Sequence, residues 1–344
     1  MNKRVLNNLI VIICLVCSCT PRTDKTSTIR TETSDSTSLQ DTLPRNETEP
    51  VIETMEPEQI HITKELLYDQ YTLKDTYPYK DTTRHFQWEK IKEGLARVEN
   101  LPHKSARLAI LQNYKNRNGE APLVKKYRRD AYKRIADTLG IERYQSIPLY
   151  LLTDTLTPER YAQDGELVRL FEDSGKFVKV APVYVGDEWY VPQKYVKPIN
   201  DTVIFNKVIF VDRTNQNIVT LDHIDRGNWV VRSMNPVTTG RHRPPYAQET
   251  PLGIFVLQEK KARMVYLKDG SQEKAGYAPY ASRFTDGAYI HGVPVEMPRT
   301  AEIEYSWSLG TTPRSHMCVR NATSHAKFVF GWAPVYSTLV FVIE

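Results

Sequence analysis

Three of the four cysteines in this 344-residue chain lie within its first nineteen positions: Cys14, Cys17 and Cys19. The fourth, Cys318, stands alone near the far end. The body of the chain therefore cannot be stapled by internal disulfides, nor can it build a four-cysteine zinc site. Whatever folds must be held by buried apolar surface. With 40% apolar and 25% charged residues there is enough of it. The length suits about two or three domains. The formal charge of +5 neither demands nor excludes a polyanionic partner.

Lys3 and Arg4 precede a run from Val5 to Val16 that is apolar except for Asn7 and Asn8. Such a run is too short for a stable membrane span but fits the apolar core of a signal peptide. It ends in Val16-Cys17-Ser18-Cys19, which resembles a bacterial lipobox. The resemblance implies a signal peptide at 1–18 and lipid on Cys19, hence a membrane partner through that lipid. It also implies a place on the periplasmic side of the envelope. Thr20, rather than an acidic retention residue, follows the lipid cysteine, which favours the outer membrane. Cys318 is then the one unacylated thiol of an exported chain, and a lone thiol in an oxidising space is a candidate nucleophile.

Residues 20–59 hold 14 Ser/Thr, four prolines and no aromatic residue. That composition cannot offset its own ordering entropy, so 19–59 is read as a disordered tether. From 60 to 145 the spacing predicts helices. Trp88, Ile91, Leu95 and Val98 form one stripe, Leu108, Leu111 and Tyr114 a second, and Val124, Tyr127, Ala131, Ile135 and Leu139 a third closed by Gly140. Ten Lys/Arg against two acids between Lys104 and Arg134 read as a solvated helix face, not a nucleic-acid site.

Between 146 and 199 the period changes to that of strands, at Ile147–Leu152, Leu167–Glu172, Lys176–Tyr184 and Glu188–Val191, with turns at Gly165, Gly175 and Gly186. The stretch closing in Trp189-Tyr190-Val191-Pro192 resembles a bacterial SH3-like module. Strands dominate from 200 to 344. No P-loop, dinucleotide fingerprint or fixed repeat is present.

In Ser315-His316-Met317-Cys318-Val319-Arg320 the cysteine lies 27 residues beyond His291 of His291-Gly292. A thiol attacks as thiolate, an imidazole can take its proton and return it to a leaving amine, and backbone N–H groups can stabilise the developing oxyanion. His316 and Cys318 would share a face on a strand, but on a turn either can point elsewhere. The paired segments resemble the L,D-transpeptidase (YkuD-type) signature of His-Gly followed by Ser-His-Gly-Cys. Thr239-Gly240 and Thr250-Pro251-Leu252-Gly253-Ile254-Phe255 match two further family motifs in order.

Together these readings give a multidomain α+β chain: a helical N-terminal region at 60–145, a small SH3-like module at 146–199 and, as the last resemblance implies, a β-rich YkuD-like catalytic domain at 200–344. That resemblance implies a cysteine acyltransferase acting on peptidoglycan stem tetrapeptides. Cys318 falls on the nucleophile, His291 on the general base and acid, and Gly292 on the backbone that holds that histidine. His316 falls on the second histidine. Ser315, Met317 and Arg320 fall on substrate-binding or oxyanion positions. No cofactor or metal is implied. Met317 departs from the family's glycine, so strain or a narrowed acyl pocket is expected there. The long loop from Gly292 to Ser315 is expected to act as a lid or specificity element. Two rivals are a zinc hydrolase using His291, His316 and Cys318, and a non-catalytic murein-binding domain. Within catalysis, water instead of an amine would make the chain an L,D-carboxypeptidase or endopeptidase.

Overall fold

Val208, Ile209, Phe210 and Val211 are all buried in the strand Lys207–Asp212, and Leu339 to Val342 are buried in its parallel neighbour Thr338–Ile343. Unbroken apolar runs of this kind belong to strands covered on both faces. The computed structural model describes residues 54–101, 107–140, 144–171 and 175–344. In it these two strands are the centre of a six-stranded sheet. Its order is His61–Lys64, Asn228–Pro236, Asn217–Asp225, Lys207–Asp212, Thr338–Ile343, Gly253–Val256.

Side chains alternate across that sheet. Val208, Phe210, Leu339 and Phe341 face one core, with Ile91, Leu95 and Val98 of the helix Trp88–Glu99. Ile209, Val211, Val340 and Val342 face another, with Phe284, Ile290, Val319 and Val329. The second core is closed by a sheet of Glu259–Leu267, Lys274–Thr285, Ala288–His291 and Val319–Arg320, and by the helix Thr323–Trp332. The first helix comes close enough to the sheet that a Cβ on Gly94 would lie 2.5 Å from the Phe210 ring.

A third sheet is antiparallel throughout, in the order Trp189–Pro192, Phe177–Pro182, Leu167–Leu170, Arg107–Leu111, Val196–Pro198. It corrects the expectation of a helical region at 60–145. Among the described residues of that region the α-helix is Trp88–Glu99 alone, which carries the first stripe. The second stripe is the strand Arg107–Leu111, paired on both sides, so inter-strand hydrogen bonds and burial of Ala109, Ile110 and Leu111 override helix propensity. The third stripe holds a two-residue hairpin, Arg128–Arg129 with Ile135–Ala136. Gly140 there takes φ +72° in a turn, not at a helix end. The strand sheet expected to begin at 146 thus recruits a strand from 107–111.

The order of the chain begins before 60. Met55 is buried, and Asn100 brackets its backbone, accepting from Met55 N–H and donating to Met55 C=O at 2.8 Å each. The signal-peptide, lipidation and most of the tether expectations, Cys19 included, lie outside the described residues. Among those residues no helix is long and apolar enough to cross a membrane.

Candidate active site

In the parallel pair formed by Ala288–His291 and Val319–Arg320, Ile290 lies opposite Val319 and His291 opposite Arg320. In-register residues of parallel strands point the same way, and successive residues alternate. Ile290 and Val319 are fully buried in the second core. Tyr289 and His291 must therefore share the opposite face with Cys318 and Arg320. All four line one cavity of about 720 Å³.

His291 is buried at the end of its strand, and its Nδ1 donates to the Gly292 carbonyl at 2.6 Å. A carbonyl only accepts, so the ring is the Nδ1–H tautomer with a bare Nε2. Desolvation depresses its pKa to about 4, helped by the nearby Arg320 charge and opposed by the Gly292 bond. Gly292 is closely held. An added Cβ would lie 2.8 Å from Thr323 Oγ1 and 2.9 Å from Pro279 Cγ.

Cys318 is a half-buried free thiol that donates to the Gly287 carbonyl over 3.5 Å. Burial raises its pKa, against a lowering by the Tyr289 backbone amide and by the Arg320 and Lys115 charges. At neutral pH the site thus holds a thiol and a neutral imidazole, not a preformed ion pair.

The turn before Cys318 is tied down by its carbonyls. Arg241 N–H donates to Ser315 C=O at 3.1 Å, Gln248 N–H to His316 C=O at 2.7 Å, and Thr250 Oγ1 to Met317 C=O at 2.7 Å. Ser315 Oγ donates to Cys318 C=O. No described residue accepts the backbone N–H of His316, Met317 or Cys318. Amides left unengaged beside a thiol are the kind of donor that a developing oxyanion requires.

Thr250 also accepts the Gly240 N–H at 2.9 Å, and Gly240 approaches Met317 so closely that a Cβ would lie 2.9 Å from its Cα. The carboxamide of Gln216 accepts from Thr239 N–H and donates to Thr239 Oγ1. Gly253, at φ +151°, lets the Thr-Pro segment enter the sheet beside the Phe255 ring. The two upstream motifs therefore clamp the turn before Cys318. Their roles were missed in the sequence although their residues stood in it.

One expectation changes. Met317 does not take a left-handed φ, and its buried side chain joins the second core without lining the cavity, so neither strain nor a narrowed pocket follows. His316, exposed on a bend, also lines the cavity, and its Nε2 meets Asp269 Oδ1 at 2.9 Å. Ser315 is buried and acts through the Cys318 carbonyl. Arg320 lines the cavity with its Nε unpartnered. Among the described residues no group of His, Cys, Asp and Glu gathers as metal ligands would, so the zinc reading finds no donor set. The loop from Gly292 to Ser315 contributes Ser306, Ser308 and Leu309 to the cavity wall.

Residues 206–342 match the family model of YkuD, the L,D-transpeptidase catalytic domain. This stretch is a YkuD catalytic domain. No curated protein matches the chain. Among solved structures, an L,D-transpeptidase from Mycobacterium tuberculosis H37Rv is 19% identical, with 54% of this chain and 75% of that one covered and a TM-score of 0.32. An L,D-transpeptidase from Mycobacterium smegmatis is 16% identical, with 52% and 77% covered and a TM-score of 0.33. A fused zinc-dependent amidase/peptidase and peptidoglycan-binding protein from Clostridium acetobutylicum is 17% identical at a TM-score of 0.30. There the alignment takes in 41% of this chain and about half, 52%, of that one. The YkuD domain accounts for the Cys318 side of the cavity. Tyr114, Lys115 and Arg117, which also line it, precede the domain and carry no signal in the sequence that would place them there.

Proposed function

We propose that the chain is a peptidoglycan L,D-transpeptidase working through a Cys318 thioester on stem tetrapeptides. The observation that carries this is the convergence onto one cavity of His291, at the end of the strand Ala288–His291, and Cys318, just ahead of its parallel neighbour Val319–Arg320, beside three unengaged amides. His291 Nε2 takes the thiol proton as Sγ attacks the L,D-amide between the third and fourth stem residues. The oxyanion is received by N–H groups of the 316–318 turn. The tetrahedral intermediate expels the terminal D-residue, whose amine takes the proton back from His291. A second amine then resolves the thioester into a crosslink, or water into a trimmed stem.

The retained nucleophile geometry favours catalysis over a non-catalytic murein-binding role, since Met317 neither strains the turn nor blocks the cavity. The resemblance of Val16-Cys17-Ser18-Cys19 to a lipobox supports a periplasm-facing enzyme anchored through lipid on Cys19, and Thr20 after it favours the outer membrane. The antiparallel third sheet, with its Gln193–Tyr195 turn before the closing strand, supports reading 146–199 as an SH3-like module that borrows the strand Arg107–Leu111.

Incubation of the chain with a stem tetrapeptide, with and without an amine acceptor, tests this by product mass. Release of one terminal D-residue per turnover is expected. A crosslinked product marks an amine acceptor and a free tripeptide marks water. No release under either condition contradicts the reading.

A further inference from the structure

The cavity around Cys318 has a wall that the YkuD domain does not supply. The turn Tyr114–Asn116, with Arg117 following it, comes from the segment just after the strand Arg107–Leu111, and Tyr114, Lys115 and Arg117 line the cavity beside Cys318 and His291. Lys115 and Asn116 are non-glycine residues at φ +52° and +45°, a conformation that persists only where surroundings impose it.

The surroundings do impose it. Lys115 N–H donates to Asp286 Oδ1 at 3.1 Å, and Asn113 N–H to Asp164 Oδ1 at 3.0 Å. Asp164 is in turn gripped by Arg283 at 2.6 Å, and Gln112 reaches Gln258 at 2.8 Å. Asp286, Arg283 and Gln258 belong to the catalytic domain, so the domain itself holds this turn against its own site. Gly287 follows Asp286, and a Cβ there would lie 2.7 Å from both Cε and Nζ of Lys115. The ammonium thus rests on the residue whose carbonyl receives the Cys318 thiol.

The charges of this cavity are unbalanced. Lys261 is paired with Glu259 at 3.1 Å, and His316 faces Asp269. Lys115 and Arg117 are exposed, lie over the Tyr114 ring face, and form no ion pair among the described residues, although the Lys115 charge acts on the buried Asp286 carboxyl. Arg320 adds a third cation, against Glu296 as the acid in the lining. A site that holds unpaired cations next to its nucleophile without neutralising them is complementary to an anionic ligand.

We propose that Lys115, assisted by Arg117, binds a carboxylate of the acyl-donor peptide, so that the segment preceding the YkuD domain completes the donor site and sets its preference for anionic stems. This rests on the acyl-transfer reading above and deepens it. The carboxylate is either that of the departing C-terminal residue or one carried elsewhere on the stem. A peptide with either one converted to a carboxamide separates the two.

The test compares three substrates with the full chain and with Lys115→Gln: the stem tetrapeptide, its C-terminal carboxamide, and its side-chain carboxamide. For the unaltered chain, KM should rise about tenfold on amidating the bound carboxylate, the scale of a hydrogen bond to a charged group. kcat should change little. Lys115→Gln should show that raised KM on the unmodified peptide and no further rise on the amidated one. Lys115→Arg should restore most of the preference.

A response confined to the C-terminal carboxamide supports the departing residue's carboxylate, and one confined to the side-chain carboxamide supports the stem's. If Lys115→Gln and the unaltered chain discriminate equally among the three peptides, the proposal is overturned while the acyl-transfer reading stands. If the unaltered chain releases no D-residue from any of them, both fail. Since the exposed Lys115 side chain leaves its N–H bond to Asp286 untouched, an unchanged melting temperature should accompany the altered KM.

Discussion

The hydroxyl of Thr250 accepts the Gly240 N–H at 2.9 Å and donates to the Met317 carbonyl at 2.7 Å, one residue before Cys318. One buried oxygen thereby joins the two upstream motifs to the nucleophile turn. Thr250→Val keeps the shape and removes both bonds, stranding an amide and a carbonyl in a buried place. A loss of about 2–3 kcal/mol in unfolding free energy is expected. A fall in kcat at nearly unchanged KM should accompany it, read by urea unfolding and steady-state kinetics. A variant that keeps full kcat would show that the turn holds its geometry without this clamp.

Met317 sits in the second core with Ile290 and Val319. Met317→Gly should therefore cost stability, about 2–5 kcal/mol on the scale of deleting a buried methionine side chain. Met317→Leu conserves volume and should cost less than about 1.5 kcal/mol. Thermal or urea unfolding of the two variants checks both. A Met317→Gly chain as stable as the parent would place the side chain outside the core.

Burial depresses the His291 pKa to about 4 from an ordinary 6.5. The folded ring binds its proton less tightly than the unfolded one. Its contribution to stability is complete above about 6.5 and disappears as pH falls through about 4. In the proposed mechanism the same neutral ring is the base for the thiol. Acylation of Cys318 by an uncharged activated ester, followed by intact mass, should keep its rate well below pH 6.5 and halve near pH 4. Half-loss at 6.5 would mean a solvated imidazole.

Asp286 moves the other way. Burial, with the nearby Asp164 charge, raises its carboxyl from 3.8 to about 7, against the pull of the Lys115 amide and the Lys115 and Arg134 charges. The folded state binds the extra proton, so this group's contribution is full below about 3.8 and is lost as pH rises to about 7. Asp286→Asn removes the titration. The stability of the variant relative to the parent should climb between pH 4 and 7 and then level off, as measured by urea unfolding along a pH series. A flat difference would show that Asp286 titrates normally.

The central strands were legible because Lys207–Asp212 and Thr338–Ile343 are apolar without interruption. The site was legible because its residues cluster in two short segments. Arg107–Leu111 was not. Five residues with apolar positions at 108, 110 and 111 fit either period, and only pairing with strands some sixty and ninety residues away decides between them. The strand Lys274–Thr285 was hidden by Gly276 and Pro279, which weaken a strand signal. The helix Thr323–Trp332 lacks a capping side chain at Ala322, so its start left no mark. The direction of His316 depends on Asp269, 47 residues upstream. The arrival of Lys115 depends on Asp286, 171 residues downstream. Spacing along the chain carries neither.

The most direct test of the account is the mass of the chain during turnover of a stem tetrapeptide. An acyl adduct of the donor tripeptide should appear on the peptide containing Cys318, with stoichiometric release of the terminal D-residue. Cys318→Ala should show neither adduct nor release while melting at nearly the parent temperature, since exchanging a thiol for a methyl here creates little space. Continued release of the D-residue by a folded Cys318→Ala chain would contradict the account.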